Sequence, residues 1–306
     1  MEQRLAPIRT AIVGLGVMGG FHYRVISALE EFEIVALCDP QPRGSYPQPL
    51  FGSVEQLLAT VALDAVIIAA PTGQHAAIAQ ACIARGCAVF VEKPAASTAT
   101  EALMMRDALQ RAGALGVVGH IERFNPVVQA LRGELAGKPI LSIAFTRVGH
   151  NPPRIRDVGV LVDLAVHDID LLRFITGAAV CRSTVYATNA VREHHEDNAH
   201  LSFELEGGIL GSISTNWLTP FKRRRIEVTT ADAYYEADLI TQQLTEFSAY
   251  RDDNAYLTRH CFVPKLEPLV GQMKAFARLL QRGEWGALAT FDDSIFTLQI
   301  LEQGTR

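Results

Sequence analysis

Short, unbroken apolar runs alternate with helically periodic stretches over the first 120 residues. Ile8–Val13, Ile34–Cys38, Ala65–Ala69, Ala88–Val91 and Leu115–Val118 lack the in-out alternation of a one-sided sheet. Such runs belong to strands buried on both faces. Helices are predicted over Val17–Glu31, Ser53–Thr60, Gln74–Arg85 and Thr100–Ala112, the last two stopping at Gly86 and Gly113. Regular strand–helix alternation requires parallel strands, so residues 1–120 are expected to form a doubly wound domain of Rossmann type.

After His120 the period changes from 3.6 to 2. A helix is predicted from Asn125-Pro126 to Gly133, with Asn as cap and Pro in the first turn. Alternating strands follow at Ile140–Val148, Val180–Asn189, His200–Leu205, Ile209–Trp217, Arg225–Thr230 and Tyr234–Leu239, with Glu206-Gly-Gly208 as one hairpin turn. One long helix, Val162–Ile175, interrupts them, and helices over Pro268–Gln281 and Asp292–Leu301 close the chain. The expected fold class is therefore α/β: a Rossmann domain over residues 1–120, then an α+β domain over 121–306 with an open, mostly antiparallel sheet. The last helix is expected to pack back on the first domain.

Composition narrows the function. With 306 residues, 49% of them hydrophobic, the chain can bury two cores. A net charge of −5 argues against a nucleic-acid partner, and Lys222-Arg-Arg-Arg225 reads as a charged sheet edge. No run is long and apolar enough for a membrane span, and the first residues lack the apolar core of a signal peptide. Five cysteines with no C-x-x-C pair point to a reducing, cytoplasmic setting.

Gly14, Gly16 and Gly19 fall between the first strand and first helix, in the order G-x-G-x-x-G. In that arrangement the first glycine permits the tight turn, the second lets backbone approach a pyrophosphate, and the third lets helix pack on strand. Val17 and Met18 lie at the helix start, whose N–H groups face the phosphates. Asp39, at the end of the second strand, suits the hydroxyls of an adenosine ribose and repels a 2′-phosphate, which favours NAD over NADP; Arg43 is the nearby cation that argues otherwise. Pro71, Thr72 and His75 follow the third strand and are candidate cofactor neighbours, a helix cap and a surface histidine being the plainer alternatives.

Three constellations carry candidate chemistry. Glu92-Lys93-Pro94 ends the fourth strand, where an ammonium beside an oxidised nicotinamide can hold or relay a hydroxyl proton. A surface lysine ahead of a helix fits the same residues. Asp163 and His167 stand four apart on the predicted helix, so the carboxylate can orient an imidazole whose reference pKa of about 6.5 suits a base for an alcohol. A polar stripe on an amphipathic helix is the alternative. Glu122, Arg123 and Asn125 occupy the join after the fifth strand and are candidates for contact with substrate, Arg123 with cofactor also. In addition, Arg147, Arg154 and Arg156 could converge on a phosphate or diphosphate, although solvated loop charges explain them equally well. His194, His195 and His200 show no repeating ligand spacing, so no metal is expected.

Taken in order, the glycine run, Asp39, Glu92-Lys93-Pro94 and Asp163-x-x-x-His167 resemble the glucose–fructose oxidoreductase/inositol dehydrogenase/rhizopine catabolism (Gfo/Idh/MocA) family over nearly the whole chain. The resemblance implies NAD-dependent oxidation of a sugar or cyclitol hydroxyl, with Lys93 and His167 in the catalytic positions, Asp163 beside them, and a homodimer or homotetramer built through the open sheet. Gly119–Pro126 and Arg154–Asp170 are similar to the family's nucleotide-sugar branch. That implies oxidation of the C3 hydroxyl of a UDP-sugar, UDP-N-acetylglucosamine, to a ketone used by an aminotransferase for the diamino sugars of lipid A. Leu164, Ala165 and Val166 stand where inositol-type members usually carry glycines. A dehydrogenase of a free sugar or inositol, or a cofactor-bound sensor without turnover, remain the other readings.

Overall fold

A computed structural model describes residues 5–42, 44–150, 158–251 and 253–303. The chain divides into two compact units: residues 1–121 with 267–298, and residues 122–266 with 299–306.

In the first unit six parallel strands run β1 (Ile8–Val13), β2 (Phe32–Cys38), β3 (Leu50–Phe51), β4 (Ala65–Ile68), β5 (Ala88–Glu92) and β6 (Gly116–Gly119), in the spatial order 3-2-1-4-5-6. The order reverses between β1 and β4, and the crevice beyond their carboxyl ends is where such sheets bind ligands. β4, β5 and β6 are buried along their whole length, as unbroken apolar runs require. Helices α1 (Val17–Ile26), α2 (Val54–Thr60), α3 (Thr72–Ala84) and α4 (Ala99–Ala112) connect them. Helix α1 is shorter than its sequence pattern, because Ala28 and Leu29 donate to Val25 and Ile26 three residues back and tighten the chain out of α-helix. Two residues were too few to signal β3.

The second unit holds α5 (Pro126–Glu134), capped by the Asn125 side chain, then β7 (Ile140–His150). A π turn, Leu161–Ala165, leads into α6 (Val166–Thr176). Strands β8 (Val180–Thr188), β9 (Asn198–Leu205), β10 (Ile209–Asn216), β11 (Leu218–Thr230), β12 (Ala233–Asp238), β13 (Gln243–Ser248) and β14 (Leu257–Cys261) complete an eight-stranded sheet, ordered 14-13-12-11-7-10-9-8. Every pairing is antiparallel except β7 with β10. β9 alternates strictly between exposed and buried, so one face of the sheet carries the core. Gly207 and Gly208, both at positive φ, close the β9–β10 hairpin. The last two helices are α7 (Pro268–Arg282), in the first unit, and α8 (Phe291–Gln303), which runs from the first unit into the second.

Candidate active site

The glycine loop is built as its sequence requires. Gly14 sits at φ +91°, and a Cβ there would lie 2.5 Å from the Ala70 nitrogen. A Cβ on Gly19 would lie 1.8 Å from the Gly14 oxygen, so α1 meets the loop with no room for a side chain. Gly16 differs: it is exposed, and a Cβ there would meet no protein atom within 4 Å. Its bare backbone therefore faces open space at the start of α1, which fits a pyrophosphate. Val17 is exposed and Met18 half-buried beside it. Asp39 accepts the Leu15 N–H at 2.7 Å and the Gln41 N–H at 2.8 Å, which ties the glycine loop to the end of β2. A carboxylate offers about four lone-pair sites, and this one is half-exposed, leaving capacity for two ribose hydroxyls. Arg43 lies outside the described residues.

Pro71 and Thr72 start α3 at the same sheet edge, Pro71 exposed and Thr72 half-buried. His75 is buried, however, with Nδ1 3.0 Å from the Pro94 carbonyl and Nε2 2.8 Å from the Ala70 carbonyl. Both ring nitrogens thus face backbone carbonyls rather than open space. Glu92, also a candidate cofactor neighbour, is likewise engaged within the protein. Its Oε1 lies 2.7 Å from Nε2 of the buried His22, and its Oε2 accepts the Lys93 N–H at 3.2 Å. Lys93 itself is half-buried and directly follows the end of β5.

In the second unit, Asp163 lies in the π turn and His167 in the first turn of α6, both half-buried, His167 between the buried Val166 and Asp168. A π turn widens the helix by one backbone step and occurs often at functional sites. Glu196 organises its start: Oε1 accepts the Leu161 N–H at 3.1 Å, and the Glu196 carbonyl accepts the Val160 N–H at 2.9 Å. Asp168 and Asp170 follow His167 in sequence and are buried. Asp168 holds Arg147 through Nε and Nη2, and Asp170 holds Arg123 through Nε at 2.8 Å and Nη2 at 2.6 Å.

These pairs hold several of the candidate ligand residues within the protein. Arg147 is 2% exposed, bound by Asp168 and by Glu122 at 2.9 Å, so it is spent on buried carboxylates and cannot present a fork to a diphosphate. Burial alone would lower the Arg147 pKa, but the two carboxylates outweigh it and raise it. Glu122 is likewise buried, and Arg147 and Arg224 hold its carboxyl below the usual range against the opposing effect of burial. Asn125 donates to Glu122 and to the Leu239 carbonyl while its oxygen caps α5, and the Arg123 guanidinium also lies 4.8 Å from the Phe174 ring centre. Glu122, Arg123 and Asn125 are thus framework groups. Arg154 and Arg156 lie outside the described residues.

Arg224, expected on a charged sheet edge, is instead partly buried. It stands opposite Arg147 across the β11–β7 ladder and gives Nη1 to Glu122 at 3.4 Å, with its side chain 39% exposed. Burial and the Arg147 charge lower its pKa, and Asp163 is among the carboxylates that oppose this. Among the described residues one group of possible metal ligands comes together, Glu134, Glu246 and Cys261. Arg259 donates to both carboxylates and so already supplies the positive charge there.

A strand-order reversal, an open glycine backbone at a helix start and a ribose-competent carboxylate together define a dinucleotide-binding fold of Rossmann type. Residues 8–120 match the oxidoreductase family with an NAD-binding Rossmann fold, and residues 139–236 match the GFO/IDH/MocA C-terminal domain. The chain belongs to the Gfo/Idh/MocA family, and its cofactor is NAD. Among curated relatives it is 29% identical to UDP-N-acetylglucosamine 3-dehydrogenase of Acidithiobacillus ferrooxidans, over 78% of this chain and 76% of that protein. It is 26% identical to scyllo-inositol 2-dehydrogenase (NAD(+)) of Bacillus subtilis, over 79% and 77%. Of solved structures, the Acidithiobacillus UDP-N-acetylglucosamine 3-dehydrogenase superposes with a TM-score of 0.86 at 23% identity, covering 98% of this chain and 97% of that one. An Agrobacterium radiobacter oxidoreductase in complex with NAD+, L-tartaric acid and magnesium gives 0.84 at 17%, covering 98% and 96%. At these identities the structural likeness establishes the fold.

Proposed function

We propose that this NAD-dependent dehydrogenase oxidises the C3 hydroxyl of a UDP-sugar, UDP-N-acetylglucosamine, to the 3-keto sugar. The observation that carries the reading is the likeness to UDP-N-acetylglucosamine 3-dehydrogenase over about three-quarters of both chains, joined to the half-buried Lys93, Asp163 and His167. NAD, when bound by Gly14, Gly16, Gly19 and Asp39, supplies a two-electron acceptor for the hydrogen on the sugar carbon. The chain's own residues handle the proton. His167 takes it from the hydroxyl at a ring nitrogen, Asp163 orients the imidazole, and the Lys93 ammonium polarises the oxygen that becomes the carbonyl. Buried Arg147 and Arg123 do not touch substrate. Arg224, with Arg154 and Arg156, supplies cations for the diphosphate. The product ketone suits a downstream aminotransferase, as in lipid A diamino-sugar synthesis. A cytoplasmic homo-oligomer fits this role, and no described helix is long and apolar enough to cross a membrane.

The inositol dehydrogenase relatives favour a second reading, oxidation of a free cyclitol. Purified protein incubated with NAD and UDP-N-acetylglucosamine, its uronic acid, UDP-glucose or myo-inositol distinguishes the two. Ketones are trapped as hydrazones and identified by mass spectrometry. A trapped 3-keto UDP-N-acetylglucosamine is expected; product from the cyclitol alone moves the assignment to the second reading. Absence of any product from NAD-loaded protein overturns both.

A further inference from the structure

We propose that two buried histidines, His22 and His75, are positioning residues that hold Lys93 from both sides; the inference rests on the reading of Lys93 as an acid–base group. His22 lies three residues beyond Gly19 on the inward face of α1 and is fully buried. Its Nε2 meets Glu92 Oε1 at 2.7 Å, and Glu92 Oε2 in turn accepts the Lys93 N–H at 3.2 Å. Gly119 backs this carboxylate so closely that a Cβ there would lie 3.0 Å from it. The His22 ring also sits edge-on to Phe90, with ring centres 5.3 Å apart. The carboxylate therefore cannot swing away from the lysine amide.

On the other side His75, in α3, reaches the Pro94 carbonyl and the Ala70 carbonyl. Carbonyl oxygens only accept, so the ring donates to one of them in either neutral tautomer and to both as imidazolium. The residue before Lys93 is thus fixed from the helix that follows the glycine loop. The residue after it is fixed from the helix that follows β4. Burying these polar contacts costs desolvation that an apolar pair would avoid, and their return is a defined geometry. A lysine side chain has many accessible rotamers, so the place of its ammonium depends on a backbone that does not move. A misplacement of about 1 Å in a reacting group can cost on the order of a hundredfold in rate.

The test uses His22→Leu, His75→Leu and the matching Gln variants, each confirmed folded by its melting curve. Brief acetic anhydride labelling of the NAD-free protein, quantified by peptide mass spectrometry, reads Lys93 directly, with Lys138, Lys222, Lys265 and Lys274 as internal references. Several-fold faster labelling of Lys93 alone is expected in the leucine variants. Their kcat is expected to fall about tenfold or more with KM for the sugar and NAD affinity within about twofold, and Gln is expected to restore most of both readouts. His22→Phe, which keeps the ring contact with Phe90 and deletes only the polar one, serves if leucine prevents folding. Wild-type labelling of Lys93 in a folded apolar variant overturns the proposal, as does a loss confined to NAD affinity. Altered labelling in a protein that oxidises no sugar supports the positioning role and removes the catalytic reading of Lys93 instead.

Discussion

Arg147 and Asp168 meet through three hydrogen bonds of 2.8, 2.9 and 3.0 Å, with both side chains 2% exposed. Asp168 is the residue after His167, so this pair fixes the turn of helix that bears the candidate base. Removing the guanidinium leaves Asp168 and Glu122 buried without their main cation. Arg147→Met should therefore cost about 3–5 kcal/mol, as for other broken buried ion pairs. Arg147→Lys keeps the charge but loses the fork, and should cost less. Urea unfolding midpoints measure both, and a Met variant within about 1 kcal/mol of wild type would refute the framework role.

Gly16 and Gly19 separate ligand binding from folding. A methyl on Gly16 meets no protein atom, so Gly16→Ala should leave stability within about 1 kcal/mol while weakening NAD binding about tenfold or more, because the methyl stands where backbone must approach the pyrophosphate. A methyl on Gly19 strikes the Gly14 carbonyl, so Gly19→Ala should lower stability by about 1–3 kcal/mol or more. Calorimetric titration with NAD beside thermal melts reads the two effects separately. Equal losses of affinity and stability in both variants would show that the two glycines do one job.

The sequence made the alternating half legible because parallel strands buried on both faces are unbroken apolar runs, and because glycines announce the dinucleotide turn. The second sheet was legible in its longer strands. β13 and β14 were not: β13 places a glutamate, Glu246, at one of its two buried positions, and Leu257–Cys261 is largely exposed and has no apolar face to reveal a period. Among site residues, charge type was visible but charge destination was not. Arg147, Arg123 and Glu122 looked like ligands because their ion-pair partners lie 21 to 102 positions away along the chain. His22 carried one unused signal: it is three residues beyond Gly19, which sets it on the same inward helical face. Asp168 and Glu196 gave none, because what they hold is decided by tertiary packing.

The cysteines should report folding. Burial pushes the Cys82 thiol up to about 12 and the Cys38 thiol up to about 11, the neighbouring Asp39 adding to the latter. Cys181 is exposed. Ellman's reagent at pH 8 should therefore modify Cys181 quickly and reach Cys38 and Cys82 only on unfolding. Peptide mapping after timed labelling checks this, and rapid modification of Cys82 in native protein would contradict the packing around α3.

Acid stability should depend on Asp197. Its carboxylate accepts the N–H groups of Ala190, Val191 and Arg192 at 2.8, 2.7 and 2.9 Å, closing the loop before β9, next to the Glu196 that caps the π turn. Burial alone would raise its pKa, but the backbone donors together outweigh burial and hold it below the ordinary value. The unfolded value is about 3.9, so the folded form binds its proton only at lower pH. The stabilisation is then complete above the unfolded pKa and is lost as pH falls through the folded one. Asp197→Asn keeps an acceptor oxygen but not the charge, and should cost about 1–3 kcal/mol at neutral pH. The cost should shrink below about pH 4, where the wild-type carboxyl takes up its proton. Urea midpoints for both proteins between about pH 3 and 7 should converge toward the acid end, and parallel curves would assign no ionic role to Asp197 in holding that loop.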